Sequence, residues 1–337
     1  MKPRTIGLGL VAAGVIGLGL LTVPRGAGAA PSLPPVDPDA LVASVLAPHT
    51  DAFGGTVQLD NQLGLPALPG FPELGNGTSS AKVATDGQGR GRVSLPGTAG
   101  EQVVVADGSN LWVWDSTKRT VTKSPADSKS ASGSAPAMAN PADAAKKLLD
   151  VARPFSTVSV DGTSEVAGRP AYDLVLAPLP SERTLLREVR LAVDSDKRIP
   201  LRLTVLAHGS PEPVLKIGFT DLTFGAQDPG LFQFTPPQGA TVRDGSAADA
   251  PTPGQLPKPT FVGQGWDMVL IAKLPTDPGS NTGQLGGLVS ALGKPVSGPW
   301  GSGKLITTSV MSAIVTDDGR VAAGAVPEQV LTAALSR

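Results

Sequence analysis

From Tyr172 to Phe219 apolar and polar residues alternate with the two-residue period of a strand that has one dry and one wet face. Tyr172, Leu174 and Leu176 share one side. So do Val189, Leu191 and Val193, then Leu201, Leu203 and Val205, then Leu215, Ile217 and Phe219. Asp173, Glu188, Arg190, Arg202, Thr204 and Lys216 lie between them. This is the pattern of an antiparallel sheet wetted on one face. Residues 194–198, Asp-Ser-Asp-Lys-Arg, read as a hairpin loop joining two of these strands. Shorter alternating or apolar runs come earlier, at 56–60 (with Val57 and Leu59 on one side), 80–85, 91–95, 102–106, 111–115 and 120–123. Asp86-Gly87 and Asp107-Gly108 mark turns between them.

Helical spacing is rare. Asp37-Pro38-Asp39 starts one helix, with Leu41, Val42, Val45 and Leu46 as its apolar stripe and Pro48 as its stop. Asn140-Pro141 starts a second, over 142–152, with Ala145, Leu148 and Leu149 facing inward; the Ser/Ala/Gly-rich stretch 124–140 leads into it as a loop. Ten or eleven strands make a sheet about 50 Å wide, and two helices roughly 10 Å across cover less than half of it. Such an apolar face curls on itself, and the helices plug its mouth. With only eight Phe, four Trp and one Tyr, bulky fillers are scarce. Periodicity leaves open whether Leu and Val pack a tight sandwich or line a cavity.

Composition narrows the function. Charged residues are 17%, below the roughly 25% of an average domain, and 41 glycines and 33 prolines suit short strands joined by turns. The net charge of −1 leaves no footprint for nucleic acid. The absence of cysteine excludes disulfides, thiolate metal sites and a cysteine nucleophile. Lys2 and Arg4, the apolar run 5–23, Pro24 and Ala27-Gly28-Ala29 form an export signal over residues 1–30, cleaved or retained as a membrane anchor. Either way the body works outside the cytoplasm.

Several separate motifs resemble one family. They are Asp39-Ala-Leu-Val-Ala-Ser-Val, Phe53-Gly-Gly-Thr-Val, Leu111-Trp112-Val-Trp114-Asp115, the Gly168-Arg169-Pro-Ala-Tyr172-Asp-Leu hairpin, and the closing Phe232-Gln-Phe234-Thr-Pro236-Pro237-Gln-Gly239-Ala. Together they resemble the secreted actinobacterial members of the LolA/LolB/LppX superfamily of lipoprotein and lipid carriers, and the closing phrase is similar to that family's last strands. The resemblance spans about residues 37–243. It implies a mainly β chain with a few helices, α+β in class: a curved antiparallel half-barrel with helices plugging its concave face. It implies binding of acyl chains rather than catalysis, with no cofactor and no metal. A related branch, that of MucB and RseB, instead senses stress and restrains anti-sigma factors. The chain departs from LppX-type lipoproteins in having no N-terminal cysteine to carry a lipid.

On this reading Val57, Leu59, Leu174, Leu176, Leu191, Leu203 and Ile217 line the cavity. Leu65, Leu68 and Phe71, from the proline-punctuated apolar stretch 63–74, form a lid or mouth. The partner is an acyl lipid or lipoprotein or, for a sensor, also a membrane protein; nucleic acid is not expected, and the chain is read as a monomer. An enzyme would have to use Ser–Lys or carboxylate chemistry, since His49 and His208 stand alone. Gly298-Pro-Trp-Gly-Ser-Gly303-Lys304 has phosphate-loop spacing, but Leu305 replaces the magnesium-binding hydroxyl, so it reads as a glycine-rich turn. Trp112 and Trp114 share a face and suit either core or cavity rim. Residues 244–258 read as a Pro/Gly/Ala-rich linker. Residues 259–337 read as a small C-terminal α+β module with a strand at 266–273, a hairpin over 305–326 around Asp317-Asp-Gly319, and a helix at 327–335.

Overall fold

The alternating segments become strands, twelve of them in one sheet. The computed structural model describes residues 30–47, 49–64, 76–97, 100–125, 149–245, 259–273, 289 and 292–337, and Pro31–Arg337 make one unit. The expected export signal and the lid residues Leu65, Leu68 and Phe71 lie outside the described residues, as does most of the interval 244–258. Helix α1 (Pro38–Leu46) precedes β1 (Phe53–Asn61), β2 (Gly77–Thr85), β3 (Gly91–Pro96), β4 (Glu101–Ala106), β5 (Asn110–Asp115) and β6 (Thr120–Pro125). Then come β7 (Ser156–Val166), β8 (Arg169–Pro178), β9 (Leu186–Asp194), β10 (Pro200–Ala207), β11 (Pro213–Phe224) and β12 (Thr241–Asp244). Their order in space is β12-β6-β5-β4-β3-β2-β1-β11-β10-β9-β8-β7. The sheet is thus two meanders, β2–β6 and β7–β11, joined where β1 pairs with β11. It does not close: β12 and β7 are edges. All pairs are antiparallel except β12 with β6, which is parallel.

Register sorts the side chains. Leu59 lies opposite Ile217, Ile217 opposite Leu203, Leu203 opposite Leu191, Leu191 opposite Leu174, and Leu174 opposite Val160. This apolar face carries α1 and is called the inner face below. Asp37 caps α1, its Oδ1 accepting from the amides of Asp39 (2.9 Å) and Ala40 (3.1 Å). Pro38 fits the first turn, where no donor is needed. Leu41 and Val42 are buried against Tyr172, Val193, Leu174 and Leu149. Leu46, expected on the buried stripe, is 43% exposed, because five residues turn it about 140° from Leu41. Asp37→Ala should cost about 1 kcal/mol, read by urea unfolding. Of the second expected helix only 149–152 is described; it is helical, and Leu149 is buried.

The sheet departs from the expected pattern at two places. Leu201 falls at a register shift between Pro200 and Arg202 and is buried with Val166, Ala171, Ala192 and Ile199, away from the Leu203–Val205 row. The closing phrase is not a strand either: Pro229–Phe232 is a 3-10 turn capped by Asp228, and 233–240 is irregular until β12 begins. Prolines 229, 236 and 237 cannot donate to a ladder. This stretch crosses the outer face of the first meander instead. It places Phe232 and Phe234 on that face, and Val103, Val105 and Val121 there are buried.

Residues beyond 259 form a second sheet, ordered β13-β14-β18-β17-β16-β15. Its strands are β13 (Thr260–Val262), β14 (Val269–Lys273), β15 (Lys294–Gly298), β16 (Gly301–Thr307), β17 (Ser312–Thr316) and β18 (Arg320–Gly324). Helix α2 (Glu328–Leu335) buries Val330, Leu331, Ala334 and Leu335 against Val269, Leu305, Ile314 and Ala322. Three strands therefore stand where a single hairpin was expected over 305–326. A 3-10 turn at Gly265–Asp267 delays the strand expected from Trp266. The glycine-rich stretch 298–304 is the β15–β16 hairpin. The two sheets touch through the β8–β9 connector, the start of β7 and the β16–β17 turn, where Val310 is buried with Ala207 and Val214. Leu185 N–H and Thr184 Oγ1 both donate to Ala325 O (2.8 and 2.6 Å), Arg183 Nε donates to Asp267 Oδ2 (2.8 Å), and Trp266 Nε1 donates to Ser156 Oγ (2.8 Å).

Candidate functional site

All seven residues expected to line the cavity point to the inner face, and none is fully buried. They do not form one site. Leu174 and Leu191 pack beneath α1 with Leu41, Tyr172 and Val193, so they are core. Val57, Leu59, Leu176, Leu203 and Ile217 lie outside that cluster, and Ile217 is 38% exposed.

The hollow lies on the other half of the face. Phe53, Val57, Val83, Val93, Val104, Leu111 and Phe219 line an open cleft of about 370 Å³. Small residues help make the space: Gly91 lies between Thr85 and Ala106, and all three line the cleft. Larger side chains at Gly91 or Ala106 would fill the floor. At one end Phe53 meets Phe219 edge to face (5.9 Å between centroids) and Phe224 similarly (6.0 Å). The inward positions of β1, β2 and β3 carry no charge; Asp60, Lys82 and Arg92 alternate to the outer face. Such a surface can hold a hydrocarbon chain, and it presents no nucleophile–base pair.

Only Val57 is common to the expected lining and the cleft. Phe219 was placed on the dry face by its spacing but not in the lining, and Val83, Val93, Val104, Leu111 and Phe53 were not expected to line a cavity, although each lies in or beside an expected strand. Their alternation is diluted by Ala, Ser, Gly and Thr, so β2–β4 read as weaker strands than β8–β11.

Trp112 and Trp114 face outward. Trp112 Nε1 donates to Asp107 Oδ2 at 2.7 Å and its ring packs on Phe234 (5.6 Å). Burial alone would raise the Asp107 pKa, but hydrogen bonds from Trp112, Asn110 and Ser109 outweigh it and hold the carboxyl down to about 2. Trp112 therefore belongs to the packed outer layer rather than to a cavity rim. His49 and His208 are both exposed. Among the described residues no three His, Cys, Asp or Glu are grouped to hold a metal ion, and no helix is long and apolar enough to cross a membrane.

No protein-family model and no curated protein matches the sequence. Solved structures do. MucB of Pseudomonas aeruginosa, in its complex with MucA, is 18% identical, with 89% of this chain and 97% of that one covered and a TM-score of 0.48. A LolA superfamily protein of Nitrosomonas europaea is 13% identical over 59% of this chain and 99% of its own, with a TM-score of 0.25. The Mycobacterium tuberculosis lipoprotein LppX is 11% identical over 56% of this chain and 93% of its own, with a TM-score of 0.30.

Proposed function

We propose that the chain is an extracytoplasmic carrier that holds the acyl chain of a lipid or lipoprotein in the cleft over β1–β5, without catalysis. The observation that carries this reading is the cleft itself: about 370 Å³ on the inner face, walled by Phe53, Val57, Val83, Val93, Val104 and Phe219. Each methylene moved from water to such a surface gains about 0.8 kcal/mol, so a chain of about 16 carbons gains on the order of 12 kcal/mol before ordering costs. Half of that still holds cargo at micromolar to millimolar affinity, weak enough to release it. Residues 37–243 hold the site in this reading.

Val57→Trp and Val93→Trp should fill the cleft. Leu191→Trp would be a poorer test, because Leu191 already packs beneath α1. Native mass spectrometry and lipid extraction of protein purified from its own host should find acyl lipid on the wild type and little on either variant, with melting temperatures preserved. Full lipid content in both variants would overturn the reading. Transfer of labelled lipid between vesicles separates carrier from sensor: binding without transfer favours the lipid-sensing regulator of a membrane partner.

A further inference from the structure

The outer face of the same sheet carries a second cleft, of about 410 Å³, more polar than the first. Two cross-strand rows form it. Asp221, Thr56, Lys82 and Ser94 lie opposite one another on β11, β1, β2 and β3, and Thr223, Gly54, Ala84 and Arg92 form the next row. Gly54 and Ala84 leave a low floor between the longer side chains. Gln227 and Leu231, from the stretch that crosses this face, make one wall. Gln227 is held over Gly54 by donating from Nε2 to Gly225 O (2.8 Å), and a side chain at Gly54 would collide with it.

Lys82 and Arg92 are diagonal neighbours across β2 and β3, a spacing that long side chains bridge. Among the described residues neither forms an ion pair. Arg92 Nε donates to Ser94 Oγ (3.2 Å) and Nη1 approaches Leu231 O (3.5 Å), which fixes the guanidinium at the cleft wall and leaves Nη2 available. Ser94 is itself buried, and Thr56 and Thr223 add hydroxyls. The single carboxylate, Asp221, stands at the far end beyond Thr56. We infer that this cleft binds a phosphate-class oxyanion between Lys82 and Arg92, and that hydroxyl groups of the same ligand lie toward Thr56 and Asp221. A guanidinium paired with an ammonium suits phosphate by charge-assisted hydrogen bonds. The phosphate can belong to a free phosphorylated compound or to a lipid headgroup at a bilayer surface. The site lies on the other face from the acyl cleft and does not depend on it.

The test uses the full chain at low ionic strength. Calorimetric titration with inorganic phosphate should show saturable binding. Lys82→Gln and Arg92→Gln should each weaken it roughly tenfold or more, while Lys82→Arg retains it. Lys123→Gln, on the same face but over Trp112, should leave it unchanged. Flotation with phosphatidylcholine vesicles, with and without phosphatidylglycerol, assigns the source. Flotation that needs the anionic lipid and both cations indicates a headgroup, and phosphate binding without flotation indicates a free ligand. No saturable phosphate binding by the wild type, equal binding by both glutamine variants, or an equal loss in Lys123→Gln would overturn the assignment.

Discussion

Replacing Arg169 by methionine should cost the fold about 3–5 kcal/mol in urea unfolding, because it strands a buried carboxylate. Asp194, at the end of β9, has no exposed surface. It receives Arg169 Nε and Nη2, the latter at 3.0 Å, and the amides of Asp196 (2.9 Å) and Lys197 (2.7 Å). One side chain thus ties β8 to the β9–β10 turn, where Arg198 takes a left-handed φ of 60°. Asp194→Leu combined with Arg169→Met should recover part of the loss, since apolar replacement of both partners removes the stranded charge. The pH dependence has a definite sign. Burial alone would raise the Asp194 pKa, but the Arg169 hydrogen bonds, the two amides and the Arg169 charge more than offset that and hold it below the ordinary carboxylate value. The pair therefore contributes fully above the unfolded carboxylate pKa of about 3.9, and its contribution is lost as pH falls through the lower folded value. Wild type should lose stability through that acid window more steeply than the double variant. Equal slopes would refute the assignment.

Phe232→Ala should be comparably severe, about 3–5 kcal/mol. Phe232 is 2% exposed and lies under the Arg90 guanidinium, 5.5 Å from its ring. It anchors the stretch that crosses the first meander, which continues through the Phe234–Trp112 contact and the bond from Arg119 Nη2 to Gln238 O (2.9 Å) into β12. Without the anchor, Val103, Val105 and Val121 lose cover. Hydrogen exchange should therefore quicken in β4 and β6 while β8–β10 stay protected. Exchange that quickens uniformly across the sheet would show that Phe232 is not a local anchor.

Much of the sheet was legible because a strand with one dry face writes its register as a period of two. Val189, Leu191 and Val193 on β9 and Leu215, Ile217 and Phe219 on β11 all lie on the face their spacing assigns. Leu201 does not, because a bulge changes the count without changing composition. The Phe232-Gln-Phe234 alternation imitates a strand, but the neighbouring prolines and a remote partner, β6, decide otherwise. Of the cleft, only Val57 was expected as lining, though Phe219 was placed on the right face. Sequence shows which residues face inward, whereas α1 decides which of them are covered, and Gly91 and Ala106 help decide where space remains. Neither effect appears in the periodicity of any one strand.

The β8–β9 connector belongs to the first sheet, one strand in from its β7 edge, yet Thr184 and Leu185 give their hydrogen bonds to Ala325, which for Thr184 is 141 positions further along the chain. A polypeptide emerging from its N-terminus completes all of β1–β12 before that acceptor exists. Only a chain made nearly to its final helix can therefore satisfy the connector, so a chain cut short before Ala325 leaves the Thr184 hydroxyl and the Leu185 amide without this acceptor.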